Sequence, residues 1–191
     1  MEILIDSAVV FSKNQQIETK RLVLRPVTMD DVLDMFTYAH DAETTEFVFP
    51  MHQTKSDTEI SIAKYFMAAP LGKYGIALKE SNRLIGTIDL RVDENAGTAE
   101  IGYVLNKVFW GNGYVPEAAE ALLALGFEQL KLVRIFAFHD VRNQKSGRVL
   151  EKLGMKEEGH IPNARKWNGK VISYVLRGIT NTEWETRSKL S

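Results

Sequence analysis

A loop with two glycines, placed directly before an alanine- and leucine-rich segment, is the part of the sequence best suited to binding chemistry. It reads WGNGYV over residues 110–115 and is followed by Pro116. Glycines allow backbone N–H groups to approach an anion closely, and the unpaired N–H groups at a helix N-terminus favour phosphate. Pro116 in the first helical turn costs little, because its missing N–H would have no partner there. On these residues alone, an ordinary loop before a helix remains the simpler interpretation.

Three other interpretations of the loop fit less well. Asn112-Gly113 between apolar residues is typical of a type I′ hairpin turn. Only two residues would then be left for the second strand before Pro116. A dinucleotide-binding G-x-G-x-x-G loop would need a third glycine where Pro116 stands, and a P-loop would need Gly-Lys-Ser/Thr after the glycines. The pattern therefore favours a strand, a short glycine-bearing loop and the start of a helix.

The segments before the loop predict strands and helices that would position it. Alternating apolar residues indicate the strands, and apolar residues at helical spacing indicate the helices. Thr28 is placed to cap the first helix, and Ser56 or Asp57 to cap the second. Residues 1–16 carry no pattern that we can assign. The predicted elements are strands at 19–28, 74–80, 83–92 and 99–105, and helices from Thr28 to about Ala42 and at about 56–69.

A long helix at 115–130 follows the loop. Gly126 lies in its apolar stripe and costs roughly 1 kcal/mol relative to alanine, which close packing against a sheet would justify. A helical crossover of this kind joins parallel strands. The order of elements therefore predicts a single α/β domain on a mixed, mostly antiparallel sheet. The later elements are strands at 133–139, 155–161 and 170–179, a helix at 143–154 with Asn143 as cap and Gly154 as stop, and a helix at 180–190.

The composition excludes several classes of function. The chain has 24 Lys and Arg against 25 Asp and Glu, so no basic excess favours nucleic acid. It has no cysteine, which excludes disulfides and thiol catalysis. Four histidines without ligand spacing predict no metal site. The N-terminus is unlike a signal peptide, and no apolar run approaches the ~18 residues of a membrane span. We therefore expect a cytoplasmic protein without a membrane partner.

The loop resembles that of the GNAT superfamily of N-acetyltransferases, and specifically the branch that acetylates the N-termini of ribosomal proteins. That branch often has Trp-Gly-x-Gly-Tyr, a small residue and then Glu-Ala, which Glu117 and Ala118 match. Val115 departs from the Gly or Ala that the wider superfamily prefers. The resemblance implies that acetyl-CoA is the cosubstrate. Its pyrophosphate would lie on Trp110, Gly111, Asn112, Gly113, Tyr114 and Val115.

The resemblance extends in order along most of the chain. "RLVLRPVTMDDV" is similar to the superfamily's first strand and helix, and "AEIGYVL" to its fourth strand. "NQKSGRVLEKLGMKEEG" is similar to a later helix, and "EW" near the end also matches. The resemblance therefore implies the acyl-CoA N-acyltransferase fold over residues 18–185, preceded by an extension at 1–17. It leaves a homodimer as a candidate assembly.

The resemblance also implies how the pantetheine arm would be held. The arm would lie beside the fourth superfamily strand and form backbone hydrogen bonds near Val104 and Leu105. A β-bulge there would direct an N–H group at the thioester carbonyl. Asn143 would contact the arm from the other side of a splayed sheet, although a role as helix cap accounts for this residue equally well.

Catalytic roles are likewise implied by the resemblance. Many superfamily members carry a tyrosine that protonates the leaving thiolate, but Leu150 stands at that position. In the ribosomal branch a serine takes this role, and Ser146 matches it, although a serine in a first helical turn often only bonds to the backbone. Glu100 is the first candidate for the base, and His139 the second. A solvent-exposed strand residue is the alternative for Glu100.

The acceptor is best predicted as the N-terminal α-amino group of a protein. Such a group, with a pKa of about 7.7–8.0, is roughly 10–17% neutral at pH 7, whereas a lysine is about 0.04% neutral. A weak base therefore suffices for an N-terminal amine. Ser173 stands where the ribosomal branch often has an aspartate, so a small-molecule amine is a second hypothesis. A CoA-binding module without turnover is a third. Segments 44–56 and 160–170 are expected to shape the acceptor pocket.

Overall fold

A computed structural model of the chain describes residues 5–167 and 169–188. Eight strands form a single sheet, with helices on both of its faces. The strands are β1 (Ile17–Glu18), β2 (Leu22–Arg25), β3 (Lys73–Leu78), β4 (Leu84–Asp93), β5 (Thr98–Leu105), β6 (Arg134–Asp140), β7 (Lys156–Trp167) and β8 (Lys170–Thr180). The α-helices are α1 (Ser7–Lys13), α2 (Val32–Ala39), α3 (Ala42–Thr45), α4 (Lys55–Ser61), α5 (Tyr114–Ala124), α6 (Gln144–Lys152) and α7 (Asn181–Ser188).

The sheet has the strand order β1-β2-β3-β4-β5-β6-β8-β7. Neighbouring strands are antiparallel except β5 and β6, which are parallel. Helix α5 forms the connection between these two strands, because a chain that leaves one parallel strand must cross back before it enters the next. The predicted mixed, mostly antiparallel sheet flanked by helices is confirmed.

The parallel seam between β5 and β6 is short. Only Thr98, Ala99 and Glu100 pair across it, with Arg134, Ile135 and Phe136 respectively. Beyond Glu100 the two strands diverge, although β5 continues to Leu105 and β6 to Asp140. The sheet is therefore joined at one end of the seam and open at the other.

Two apolar cores cover the two faces of the sheet. The larger one joins α1, α5, α6 and α7 to the sheet, and Leu122, Leu123 and Ile135 are fully buried in it. The smaller one joins α2 and the π-helical segment Ile62–Met67 to Leu84 and Val104. Alternate residues of β5 therefore face different helical layers.

Helix α5 continues as a π-helical segment, Leu125–Gln129, so the predicted helix at 115–130 has two parts. A Cβ atom on Gly126 would lie 2.6 Å from Cδ1 of Ile135. The expected reason for a glycine in this helix, close packing against the sheet, is confirmed.

Several predicted boundaries differ from the structure. The expected strand at 19–28 is a tight antiparallel pair, β1 and β2, because the chain turns between them. Helix α4 is capped by Thr54 and not by Ser56 or Asp57; the Asp57 carboxylate instead accepts from the N–H of Thr54. Helix α1, capped by Asp6, lies in the segment that sequence patterns left unassigned. Residues 189 and 190 of the predicted last helix lie outside the described residues.

The C-terminal strands and helices follow the predicted order. Asn143 caps α6, and Gly154 ends it with a φ of 77°. Strand β7 is longer than the predicted 155–161, since it runs on to Trp167. Across residues 5–167 and 169–188, no helix combines the length and the apolar character that a membrane crossing requires.

Candidate active site

A cavity of about 1250 Å³ fills the gap where β5 and β6 diverge. The glycine loop forms one end, residues of β5 and α6 form the middle, and charged and aromatic side chains form the other end. Its lining includes Gly111, Gly113, Tyr114 and Val115; Tyr103, Leu105, Asn143 and Ser146; and Tyr65, Asp89, Arg91, Glu100, Phe138, Arg165 and Tyr174. The structure thus brings residues that were predicted to bind acetyl-CoA and residues that were predicted to be catalytic to one continuous cavity.

The glycine loop adopts a conformation that non-glycine residues rarely reach. Gly111 and Gly113 have φ values of 80° and 77°. Helix α5 begins at Tyr114, so the N–H groups of Tyr114 and Val115 have no acceptor within the helix. A Cβ atom on Gly111 would meet nothing within 4 Å. The loop therefore presents open space and backbone donors at a helix N-terminus, which is the arrangement that binds phosphate.

Two side chains in and next to the loop hold it in place. The indole N–H of Trp110 donates to the carbonyl of Leu105 at 2.7 Å. The side-chain amide of Asn112 donates to the carbonyls of Phe109 and Trp110. Both residues thus orient the loop through backbone groups, and Trp110 ties it to the end of β5.

Arg21 and Glu117 anchor the start of α5 to the β1–β2 turn. The Arg21 backbone N–H and Nε each donate to the Glu117 carboxylate at 2.7 Å, and Thr19 donates at 2.6 Å. Arg21 Nη1 donates to the carbonyl of Asn112 at 2.9 Å. Burial raises the pKa of Glu117, but the hydrogen bonds from Thr19 and Arg21 lower it by more, so the pKa is below its ordinary value. Sequence reasoning missed Arg21, which brings a positive charge to the loop.

The open edge of β5 is formed by alternate residues. The Asn106 N–H donates to the carbonyl of Ile85 on β4, and antiparallel pairing alternates from there. The backbone groups of Val104 therefore point towards β4, whereas those of Tyr103 and Leu105 point into the gap. The expected bulge is absent from the described β4–β5 pairing, which runs without a shift from Gly86–Leu105 to Asp93–Thr98.

Ser146 and Tyr103 meet in the middle of the cavity. Their hydroxyl groups lie 2.8 Å apart, and the Tyr103 hydroxyl is also 3.2 Å from the Ser146 carbonyl. Burial raises the pKa of Tyr103, so this phenol keeps its proton. Leu150, at the position where a tyrosine was sought, is fully buried in the core. Sequence reasoning missed Tyr103, although its alternation with Ala99 and Ile101 places it on the face of β5 towards α6.

Asn143 is engaged as a helix cap and still faces the cavity. Its side-chain oxygen accepts from the Ser146 N–H at 3.1 Å. The amide nitrogen of the same side chain remains free to donate. The cap interpretation of Asn143 is confirmed, and it leaves the amide group available for a ligand.

A charged cluster surrounds Glu100 at the far end of the cavity. Glu100 Oε1 accepts from Arg91 at 2.7 Å, and Arg91 also pairs with Asp89. The Tyr65 hydroxyl donates to Asp89. Burial, followed by this carboxylate, raises the pKa of Tyr65 to about 12. Sequence reasoning missed Asp89 and Tyr65; the polar alternation Thr87, Asp89, Arg91 in β4 was the available indication for the former.

His139 is enclosed on the opposite side of the gap. Its Nδ1 lies 2.9 Å from the carbonyl of Asp140, so this nitrogen carries the proton and Nε2 is the acceptor. Nε2 is buried and has no partner among the described residues. A Cβ atom on Gly147 would lie 3.2 Å from it. Access of an acceptor amine to His139 would therefore require the ring to move.

Aromatic rings and a cation complete the far end. The rings of Phe138 and Tyr174 lie 6.0 Å apart. The Arg165 guanidinium lies 4.3 Å from the Trp167 ring and 5.5 Å from the Tyr174 ring. The indole N–H of Trp167 donates to the carbonyl of Glu46 at 3.1 Å. Both segments expected to shape the acceptor pocket, 44–56 and 160–170, thus contribute to this wall.

The arrangement suits transfer between a phosphate-bearing ligand and an acceptor. One end offers anion-binding backbone groups, the middle offers hydroxyl groups, and the far end offers carboxylates. Among the described residues, no three His, Asp or Glu side chains converge as metal ligands.

Comparisons with known proteins identify the family of the chain. The acetyltransferase (GNAT) domain family matches residues 21–156. An uncharacterized N-acetyltransferase of Bacillus subtilis, YnaD, is 33% identical over 159 residues, which cover 79% of this chain and 91% of that protein. The [ribosomal protein uS5]-alanine N-acetyltransferase of Escherichia coli is 22% identical over 181 residues, 88% of this chain and 92% of that one.

A solved structure has the same fold. The GNAT-family acetyltransferase of Bacillus anthracis superimposes with a TM-score of 0.80 at 28% identity, covering 88% of this chain and 99% of that one. Members of this family use acetyl-CoA. The chain belongs to the GNAT family of acetyltransferases.

Proposed function

We propose that this protein transfers the acetyl group of acetyl-CoA to the α-amino group at the N-terminus of a protein. The observation that carries the proposal is the engagement of its candidate bases. Glu100 and Asp89 both pair with Arg91, and the free nitrogen of His139 is enclosed. A site whose candidate bases are already engaged suits an amine that is partly neutral near pH 7, because such an amine needs little help from a base.

The residues around the glycine loop fit the phosphates of acetyl-CoA. The backbone N–H groups from Gly111 to Val115 would hold the pyrophosphate, and Arg21 adds positive charge beside it. Trp110 and Asn112 would act indirectly by fixing the loop. Bound there, acetyl-CoA supplies the thioester that carries the acetyl group.

The open edge of β5 would hold the pantetheine arm in an extended form. The backbone groups of Tyr103 and the N–H of Leu105 point into the gap. The amide of Asn143 faces them from α6. Val104 contributes through its side chain, which packs in the smaller core and supports this part of the strand. The arm would take the place of a strand partner along this edge, because β6 has diverged from β5 there.

The far end of the cavity would receive the acceptor amine. Glu100 Oε2 has no hydrogen-bond partner among the described residues, since Arg91 uses Oε1. It therefore accepts a hydrogen bond from the incoming amine, which binds in its neutral form. The neutral nitrogen attacks the acyl carbon, and Glu100 takes the proton that this nitrogen then loses, directly or through water. The bond from the acyl carbon to sulfur breaks, and an amide bond forms.

The Ser146–Tyr103 pair would return a proton to the departing sulfur. Ser146 donates its hydroxyl proton, Tyr103, which is protonated before the reaction, passes its own proton to Ser146 through their hydrogen bond, and Tyr103 regains a proton from solvent. A thiolate with a pKa of about 8.5 is a fair leaving group. The pair therefore accelerates the reaction without being indispensable.

The choice of a protein acceptor is also supported by the name of a relative. The Escherichia coli protein that matches 88% of this chain acts on the alanine of ribosomal protein uS5. A ribosomal protein is accordingly our first candidate for the acceptor of this chain.

Thiol release from acetyl-CoA in the presence of matched peptides tests the proposal. Each peptide is prepared with a free N-terminus and with a blocked one, and each carries one internal lysine. We expect thiol release only with the free form, and mass spectrometry should place the acetyl group on the α-nitrogen. Acetylation of the lysine, or turnover of spermidine or of free amino acids with none of the peptides, would overturn the proposal.

A further inference from the structure

The far end of the cavity carries features that bear on which N-terminus is acetylated, and the inference rests on the function proposed above. Glu100 is the last residue of β5 that pairs with β6, and its partner is Phe136. Paired residues of neighbouring strands point to the same face of a sheet, as do residues two apart on one strand. Glu100, Phe136 and Phe138 therefore share one face.

The helices that cover this face over β4 and β5 do not cover it over β6. Val104 is buried beneath α2 and the segment Ile62–Met67. Phe138, by contrast, is 37% exposed and lines the cavity. The sheet next to Glu100 thus presents an aromatic surface that faces open space.

The opposite wall is also aromatic. Tyr65 bonds to Asp89 at the charged cluster, and Phe47 lines the cavity with the Arg142 guanidinium 5.3 Å from its ring. Rings from three places thus line the cavity that contains Glu100: Phe138 from the sheet, Tyr65 from the segment Ile62–Met67, and Phe47 from the segment after α3.

In a protein N-terminus, the carbon that bears the amine also bears the first side chain. When the amine lies at Glu100, that side chain enters the part of the cavity that these rings line. A large apolar side chain would bury apolar surface there, about 25 cal/mol for each Å² removed from water. An alanine or serine side chain would leave most of the aromatic surface exposed, so this chain would differ in its preferred first residue from the Escherichia coli relative that acts on alanine.

Arg165 lies farther along the same surface. It stacks near Tyr174 and Trp167 and forms no ion pair with the described residues. The neighbouring cations Arg91 and Arg142, in contrast, are paired with Asp89 and Asp140. An unpaired guanidinium in a cavity wall favours a ligand with a negative charge.

We propose that the acceptor is an N-terminus whose first residue has a large apolar or aromatic side chain and is followed by an acidic residue. Phe138 contacts the first side chain, and Arg165 binds the carboxylate that follows. Both are specificity residues that bind the acceptor, and neither takes part in the transfer of protons.

A set of peptides with free N-termini tests this inference. The first residue is Phe, Leu, Ala or Ser, and the next two are acidic or basic, with kcat and KM measured for each. We expect kcat/KM about tenfold higher for Phe or Leu than for Ala or Ser, which is the lower end of what an apolar pocket distinguishes. Acidic residues at the second and third positions should raise kcat/KM a further two- to fivefold, and this increase should be lost at high salt.

Two variants and two matched controls assign the effects. Phe138→Ala should remove the preference for large first residues, chiefly through KM, and Val171→Ala, an exposed β8 residue outside the cavity, should retain it. Arg165→Gln should remove the preference for acidic peptides, and Lys166→Gln should not. Melting temperatures are compared to establish that each variant is folded.

The outcomes separate the inference from the function on which it rests. Turnover of free peptides without discrimination among first residues overturns the inference alone. So does a change of molecular mass, rather than of specificity, in Phe138→Ala, because a second copy of the chain would then cover the aromatic surface. Absence of turnover with every free peptide overturns both.

Discussion

The hydroxyl groups of Tyr103 on β5 and Ser146 on α6 lie 2.8 Å apart and join the two sides of the cleft. Their residues are 43 positions apart in the chain and belong to elements on opposite sides of the gap. This hydrogen bond therefore places the proposed proton donor and its proposed source where the strands diverge.

We expect Ser146→Ala to lower kcat about tenfold, and Tyr103→Phe to lower it by less. Solvent can protonate a thiolate, so the loss should be smaller than the roughly hundredfold or greater effect that is typical of general acid catalysis. The double variant should be no slower than Ser146→Ala, because groups that act as one unit are not additive. Steady-state kinetics with a free-N-terminus peptide measures all three.

The dissociation constant of acetyl-CoA should change little in these variants. Calorimetric titration checks this. A tenfold weaker binding in Ser146→Ala would indicate that the serine holds the cosubstrate instead of donating a proton.

Gly113→Ala should weaken acetyl-CoA binding. Its φ of 77° costs an L-residue roughly 1–2 kcal/mol, which the protein avoids by moving the loop. We expect a roughly tenfold higher dissociation constant in calorimetric titration. Gly159→Ala is the control, since a Cβ atom there meets nothing within 4 Å and its φ is not positive. Equal affinities in the two variants would contradict the proposed phosphate site.

The pH profile of the reaction should follow the acceptor amine. Only the neutral amine attacks, so kcat/KM should rise with pH and level off above the amine's pKa of about 7.7–8.0. Glu100→Gln should lower the plateau about tenfold without moving its midpoint. An unchanged plateau would show that Glu100 does not receive the amine.

Glu117→Gln should destabilise the protein by about 1–3 kcal/mol near neutral pH, because several hydrogen bonds to a charged carboxylate are lost. The folded-state pKa of Glu117 is below its ordinary value of 4.5. Its contribution is therefore complete above about pH 4.5 and is lost as the pH falls through the folded value.

Thermal unfolding of Glu117→Gln and wild type between pH 3 and 7 measures this effect. The difference in stability should shrink below about pH 4.5. Glu128→Gln, an exposed glutamate on the same helical segment, should show no difference at any pH. A difference in stability between wild type and Glu117→Gln that is as large at pH 3 as at pH 7 would contradict the proposed contribution of the Glu117 carboxylate.

Long periodic elements were predictable from the sequence, since apolar residues recur along them at the spacing of a helix or strand. Helix α5, the meander β3–β5 and the cap at Asn143 all follow from such patterns. Helix α1 was not predictable, because it has seven residues and only Phe11 is buried.

Contacts between distant residues were beyond the reach of sequence patterns. Arg21 lies 96 positions from Glu117, and Tyr65 lies 24 from Asp89. Their partners are set by which elements pack together, and periodicity does not specify that. The glycine loop was recognisable because all of its parts are contiguous. The acceptor end was predictable only in part, through Glu100 and the segments 44–56 and 160–170, because seven separate elements of the chain build it.

The short seam between β5 and β6 gives the sheet two interior borders in addition to its two outer ones. An unsatisfied strand border is normally a template on which foreign chains aggregate. Here each border is sheltered by the opposite half of the molecule and by the helices beside it. The protein can thus leave backbone groups at the open edge of β5 available to the proposed cosubstrate without exposing them to pairing with other protein chains.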